Sequence, residues 1–205
     1  MTNNYRDWLV NNRGDCSAYE VPKDGQETNK PYRLYRFLTN LEDILTEISE
    51  DSQRLKAITP LVRSLLTSSD WLQGEYLEPD PEQGWSVLML YDEPDFPLTI
   101  QTVVWLPGKV SPIHNHATWG LVALISGKEK NTFWRRAGDK AFPDKLVKVG
   151  EKILLPGDII SFLPDAIHSV EALDEEPTIT FNIYGETDYS QRFEFDPVTH
   201  QSSTF

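Results

Sequence analysis

Seven short apolar runs crowd the second half of the chain. They read "WSVLML" (85–90), "LTIQTVVWL" (98–106), "WGLVALISG" (119–127), "KNTFWRR" (130–136), "EKILLPG", "DIISFLP" and "TITFNIYG" (178–185), parted by Gly, Pro or Asp and with no helical stretch between them. Parallel strands need long crossover connections, usually helices, and none is offered here. A sandwich or barrel follows, and a jelly roll is the first expectation.

The first half reads differently. Residues 1–30 are polar and include the turn-rich "VPKDGQETNK". From Pro31 onward, Leu34, Phe37, Leu38, Leu41, Ile44, Leu45 and Ile48 recur at three- and four-residue spacing, with Asn40 as a candidate cap for a helix from Leu41. "LKAITPLVRSLLTSSDWL" repeats the period, with Pro60 suited to the first turn of a new helix. Two or three short helices are expected before about residue 74. The division is thus 1–74, a leader and helices packed on the barrel, and 75–205, the barrel with a C-terminal tail.

Within "TITFNIYG", the two-residue period sets Thr178, Thr180, Asn182 and Tyr184 on one face, with Ile179, Phe181 and Ile183 on the other. On an ordinary sandwich the polar row would meet water. In a barrel with a reaction cavity it can line that cavity, while the apolar row packs on a second layer.

Charge narrows the partners. Lysine and arginine number 19 against 32 acidic residues, a net charge of -13, with no basic stripe to offset it, so nucleic acid is excluded as a partner. Cys16 is the single cysteine, which removes a disulfide framework and any thiolate-rich zinc site. The amino terminus lacks the basic start and apolar run of a signal peptide, and no run approaches eighteen apolar residues. A soluble cytoplasmic protein without membrane attachment is expected.

Chemistry gathers on the histidines. In "PIHNHATWG", His114 and His116 are two apart, so on an extended backbone they point the same way and can share an ion. His168 follows in "LLPGDIISFLPDAIHSVEA", after a strand and a proline turn. A lone histidine is most often a polar residue with a satisfied partner; a pair joined by a third in a matching glycine and proline setting points to metal. His200, in the polar tail, is not expected to be a ligand. Trp119 is expected to pack, and "DEPDFP" (92–97) to form a solvated turn.

These segments resemble the cupin superfamily, whose fold is a jelly-roll (double-stranded β-helix) barrel. "GKVSPIHNHATWGLVALISG" follows the first cupin motif and "PGDIISFLPDAIH" is similar to a shortened second one. Where cupins usually carry a glutamate ligand this chain has Gly120, so the resemblance implies three histidines and no carboxylate. Such a set leaves a divalent ion its full charge, which attracts an anionic sulfur or enolate. Iron suits it, because iron can hold substrate and O2 together and pass electrons between them.

Among three-histidine cupins, "HNHATWG", "HSVEA" and "TFNIYG" resemble the thiol dioxygenases, the cysteine dioxygenase and mercaptopropionate dioxygenase group, over roughly residues 85–196. The resemblance implies Fe(II) held by His114, His116 and His168, with Tyr184 beside the reacting atoms. The family's Ser-x-His-x-Tyr array reads Thr180, Asn182, Tyr184 here, so an amide replaces the histidine that would bond the tyrosine. No cysteine–tyrosine crosslink is expected, since that neighbourhood is Gly120-Leu121. A carboxylate-bearing thiol needs a cationic anchor: Arg192 in "YSQRFEF" is the family-like candidate, and Arg135 or Arg136 in "TFWRR" an alternative.

The expected activity is oxidation of a small thiol of the cysteine or 3-mercaptopropionate type to its sulfinic acid by O2. Two other readings remain open, a carbon–carbon cleaving dioxygenase or isomerase in the same scaffold and a ligand-binding cupin without catalysis. A basic residue over the metal favours the carboxylate-bearing substrate. Cupins often pair through strands, so a homodimer is compatible with the chain.

Overall fold

In the computed structural model, which describes residues 6–19, 32–69, 72, 78–94 and 96–204, the helical period gives α1 (Leu34–Glu47) and α2 (Asp51–Ser68). The first helix starts a full turn and more before Asn40, with Arg33 at its cap position, because the apolar spacing is already continuous from Leu34. Asn40 therefore sits inside the helix, its amide donating to the Tyr32 hydroxyl. The Glu50 carboxylate caps α2 by accepting from the Ser52 and Gln53 amides.

Pro60 lies in the middle of α2 and opens no new helix. An interior proline costs about 3 kcal/mol in an isolated helix. Here Leu55, Ile58, Val62 and Leu65, fully buried on both sides of it, hold the segment against one core. Their burial, at roughly 1.5–3 kcal/mol each, outweighs the missing hydrogen bond.

The strands are β1 (Asp7–Val10), β2 (Cys16–Ala18), β3 (Trp85–Glu93), β4 (Phe96–Trp105), β5 (Ile113–Asn115), β6 (Gly120–Ser126), β7 (Glu129–Arg136), β8 (Leu146–Leu154), β9 (Ile159–Phe162), β10 (Ile167–Ala172), β11 (Thr178–Gly185), β12 (Phe193–Asp196) and β13 (Gln201–Thr204). One sheet runs β2-β1-β9-β6-β11-β4-β3 and the other β13-β12-β5-β10-β7-β8. Within them β4 pairs β11, β5 pairs β10, β6 pairs β9 and β7 pairs β8, all antiparallel. These four nested pairs are a long hairpin folded over on itself, which is the jelly roll expected from the sequence.

Two departures concern the ends. Part of the polar leader is structured: β1 adds to β9 in parallel, and β2 pairs back onto β1. Its turn-rich segment 21–30 lies outside the described residues. The polar tail also forms a hairpin, β12–β13, attached to β5. Both are short edge additions whose backbone pairing outweighs weak strand patterning.

The two faces of β11 separate as the alternation requires. Phe181 and Ile183, both fully buried, join Phe37 and Leu41 of α1, Leu55, Ile58, Val62 and Leu65 of α2, and Leu121 and Ala123 of β6 in one cluster outside the barrel. A second cluster of Val122, Leu124, Phe133, Leu154, Ile160 and Phe162 fills the space between the sheets. The helices are therefore the second layer on which the apolar row packs. No helix of the described residues is long and apolar enough to cross a membrane.

Candidate metal centre

The three histidines meet because β10 is paired on both sides. His168 stands opposite His114 of β5 and opposite Phe133 of β7, and directly paired residues project to the same side of a sheet. His116 follows β5, where Ala117, at φ +53°, turns the chain toward β6. One nitrogen from each ring can be chosen so that all three lie within 4.8 Å of one another. The His116 and His168 Nε2 atoms are 2.9 Å apart. Two imidazole nitrogens bound to one ion at right angles, with bonds of about 2.1 Å, are about 3 Å apart, so this pair is spaced for a shared metal and His114 completes a group of three candidate ligands.

Backbone and side-chain acceptors fix two of the rings. Nδ1 of His114 donates to the Pro112 carbonyl (3.0 Å), and Nδ1 of His168 donates to Asn131 Oδ1 (2.9 Å). Each bond directs the Nε2 lone pair inward. Burial lowers the His114 pKa to about 4, helped by the Arg192 guanidinium and opposed by the Pro112 carbonyl. Burial also holds His116 and His168 well below the usual range, with the neighbouring imidazoles adding to it. All three are thus neutral at pH 7, the form that binds metal.

Tyr184 packs between position 120 and the histidine group. Its ring stacks on His116 with centroids 4.6 Å apart and planes at 26°. Gly120 is directly opposite it on β6, and a Cβ there would come within 2.8 Å of Tyr184 Cδ1 and 2.9 Å of Cε1. A side chain at position 120 and this tyrosine exclude each other. Burial keeps the phenol protonated well above the usual range; the Glu129 carboxylate raises it further and Arg192 opposes the shift. The Asn182 amide donates to Thr180 Oγ1 at 3.2 Å, so it pairs with the threonine instead of orienting the phenol.

The three arginine candidates part company. Arg135 is exposed at the end of β7, and Arg136 bonds Asp144 (2.8 Å) with its guanidinium over the rings of Phe193 and Phe195. Arg192 lies within electrostatic reach of His114, His116 and Tyr184. Asn115, the residue between the two histidines, places it. Its Nδ2 donates to the Gln191 carbonyl (2.9 Å) and its Oδ1 accepts from the Phe193 amide (2.8 Å), gripping the backbone on both sides of Arg192.

No family model matches the chain. Among solved structures it is similar to peruvianin-I, a cysteine peptidase from Thevetia peruviana latex, at 17% identity and a TM-score of 0.41 over 56% of this chain and 69% of that one. An oxalate oxidase in complex with the substrate analogue glycolate gives 13% identity and a TM-score of 0.41 over 59% of each chain. A cupin superfamily protein from Desulfitobacterium hafniense gives 15% and 0.40 over 54% of this chain and 84% of that one. The chain spans 53% to 59% of the length of the oxalate oxidases it matches. At these scores the jelly roll stands on the strand order above, and no activity passes to this chain from its neighbours.

Other expected roles can be located. Trp119 is buried in the cluster under the helices, with the Arg54 guanidinium 5.7 Å from its ring, so it packs as expected. His200 lies in the β12–β13 turn against Phe142, outside the histidine group. The "DEPDFP" segment forms the tip of the β3–β4 hairpin, with Asp95 outside the described residues.

Three polar residues escaped the sequence reading: Asn115, Asn131 and Glu129. Glu129 is almost completely buried and accepts from Asn131 Nδ2 at 2.7 Å. The available signal was the parity of β7, where Glu129, Asn131 and Phe133 share a face with the strand's apolar side. Burial raises the Glu129 pKa to about 7 against an ordinary 4.5, and the Asn131 hydrogen bond opposes the shift. The folded state therefore holds this proton more tightly than the unfolded one. Stability falls as pH rises from about 4.5 to about 7, by on the order of 3 kcal/mol, and stays reduced above. Thermal melts should show Glu129→Gln gaining on the parent protein across that window; parallel Tm profiles for the two would contradict it.

Proposed function

We propose that this chain is an iron-dependent dioxygenase that converts a small carboxylate-bearing thiol to its sulfinic acid. The observation that carries the reading is the Gly120–Tyr184 contact: a phenol fills the site of a carboxylate ligand beside three neutral imidazoles, with Arg192 close by. Fe(II) held by His114, His116 and His168 would supply the one-electron chemistry that lets a thiolate react with O2. Overall, R–S⁻ plus O2 gives R–SO2⁻: the O–O bond breaks, two S–O bonds form, and sulfur gives up the four electrons that O2 takes.

The residues of the chain divide the remaining work. His114, His116 and His168 hold the ion. Arg192 binds the substrate carboxylate through its two-pronged guanidinium, and Asn115 fixes where that guanidinium stands. Tyr184, kept protonated, donates a hydrogen bond to the reacting sulfur or oxygen. Thr180 and Asn182 line the polar wall below it. Arg192 near the site favours a carboxylate-bearing substrate over the apolar diketone-like substrate of the competing reading. A cytoplasmic setting, the thiol and O2 as small-molecule partners, and a homodimer complete the reading.

Reconstitution with Fe(II) and an oxygen electrode test it. The expected result is about one O2 consumed per sulfinate formed from cysteine, 3-mercaptopropionate or a close analogue, a stoichiometry set by placing both oxygen atoms on sulfur. Absence of turnover across the thiol panel by fully iron-loaded protein would remove the proposal. Tyr184→Phe should keep its iron and lose at least about tenfold in kcat, the scale of a positioned hydrogen bond to a reacting atom; unchanged kcat would leave the phenol a packing group. Asn115→Ala should raise KM about tenfold with iron content unchanged, because only the arginine's placement is disturbed. An unaltered KM would show that Arg192 is held by other means.

A further inference from the structure

We propose that Glu129 and Asn131 are positioning residues that select the metal-binding tautomer of His168. The inference rests on the reading that the three histidines hold an ion. It follows from which atoms can donate. Asn131 offers one acceptor, Oδ1, and one donor group, Nδ2, and a primary amide can rotate to exchange them. Glu129 Oε1 lies 2.7 Å from Nδ2, and above about pH 7, where this carboxyl is ionised, it only accepts. Its presence therefore holds the amide with the NH2 toward Glu129 and the carbonyl oxygen toward His168.

That orientation decides the imidazole. Nδ1 of His168 is 2.9 Å from Asn131 Oδ1, so Nδ1 must carry the proton and Nε2 must keep its lone pair. The lone pair points at the His116 Nε2, on the metal side. With the amide reversed, NH2 would face Nδ1, the proton would move to Nε2, and the third ligand would be lost. His168 is 2% exposed and Asn131 1%, so water has little access to take over either bond. His114 needs no such device, because the Pro112 backbone carbonyl cannot reverse.

The placement is built into the register. Asn131 stands opposite Val170 on β10, two residues beyond the His168–Phe133 pair, and Glu129 is two further along the same face of β7. A glutamate, an asparagine and a histidine thus form a chain leading inward to the ion, each fixing the next. Partners of this kind are worth about 10- to 100-fold in metal affinity elsewhere.

The test exchanges donor and acceptor. Asn131→Leu removes the acceptor, Glu129→Gln frees the amide to reverse, and the double variant Glu129→Gln/Asn131→Asp restores the chain with opposite polarity: glutamine donates to the new carboxylate, which accepts from Nδ1. Long-range ¹H–¹⁵N spectra of metal-free, ¹⁵N-histidine-labelled protein at pH 8 read the tautomer. Anaerobic titration with Fe(II) alone reads affinity.

His168 should carry its proton on Nδ1 in the parent protein and the double variant. Asn131→Leu should move it to Nε2 and weaken iron binding about 10- to 100-fold, with Glu129→Gln intermediate and the double variant within about threefold of the parent. An unshifted tautomer in both single variants, or a folded double variant as impaired as the worse single one, would overturn the assignment. If Asn131→Leu fails to fold, Glu129→Gln and the double variant decide between those outcomes. Both readouts are taken without substrate or O2. A parent protein that binds iron but oxidises no thiol sinks the proposed reaction and leaves this assignment standing.

Discussion

His168→Ala should leave a folded barrel that retains at least about tenfold less iron after desalting and oxidises no thiol, because two monodentate ligands hold an ion weakly and leave its orientation unfixed. Position 120 cannot supply a replacement, since it is glycine and the Tyr184 ring fills the space above it. The substitution also opens a gap beside Phe162, whose ring centroid is 4.3 Å from that of His168, and removes the donor to Asn131 Oδ1. A buried acceptor left without a partner costs about 1–3 kcal/mol, so Tm should fall while the far-UV spectrum stays strand-rich. Iron analysis and oxygen uptake on the same preparation check the result. Full iron occupancy together with full rate would require the site to be redrawn without this histidine.

Gly120→Ala should produce the opposite pattern, with metal kept and chemistry damaged. One methyl group placed 2.8 Å from Tyr184 Cδ1 is well inside van der Waals contact, and the ring is already stacked on His116. The phenol must swing away. Overpacking of this kind costs about 1–3 kcal/mol, and displacing a reacting group by about an ångström costs up to about 100-fold in rate. Gly120→Glu should behave no better: the carboxylate that would complete a four-ligand site cannot enter without evicting the tyrosine. Steady-state kinetics and a thermal melt read the two effects. A Gly120→Ala protein with unchanged kcat and Tm would show that the Tyr184 ring has room to move.

Much of this arrangement was legible in the chain. Strand runs from Trp85 to Gly185 and the two-residue alternation of β11 anticipated both the jelly roll and the inward polar row. They are local patterns, and local patterns survive in a sequence. The histidine group was legible for a different reason, since an unusual pair two residues apart is improbable as surface decoration. What escaped depends on pairing. Asn131 becomes a partner of His168 only when β7 aligns with β10, and Asn115 grips the backbone on both sides of Arg192 only once β12 lies along β5. Nothing near either asparagine in the sequence names its partner. The start of α1 lies before Asn40 because the apolar spacing already runs through that capping-type residue. Pro60 is similar: its usual local meaning gives way to burial on both sides.

The double pairing of β10 also has a kinetic side. His168 belongs to a strand bonded along one edge to β5, which carries His114, and along the other to β7, which carries Asn131. A ligand so embedded cannot swing out as a loop residue can. Exchange of an ion held there would then proceed either with the sheet intact or by a rare separation of three neighbouring strands at once. Chelator-driven release should accordingly have two regimes, one limited by the chelator's size and one by the opening of the sheet. A bulky chelator would report the second, making metal loss a clock for the local unfolding of β5, β10 and β7.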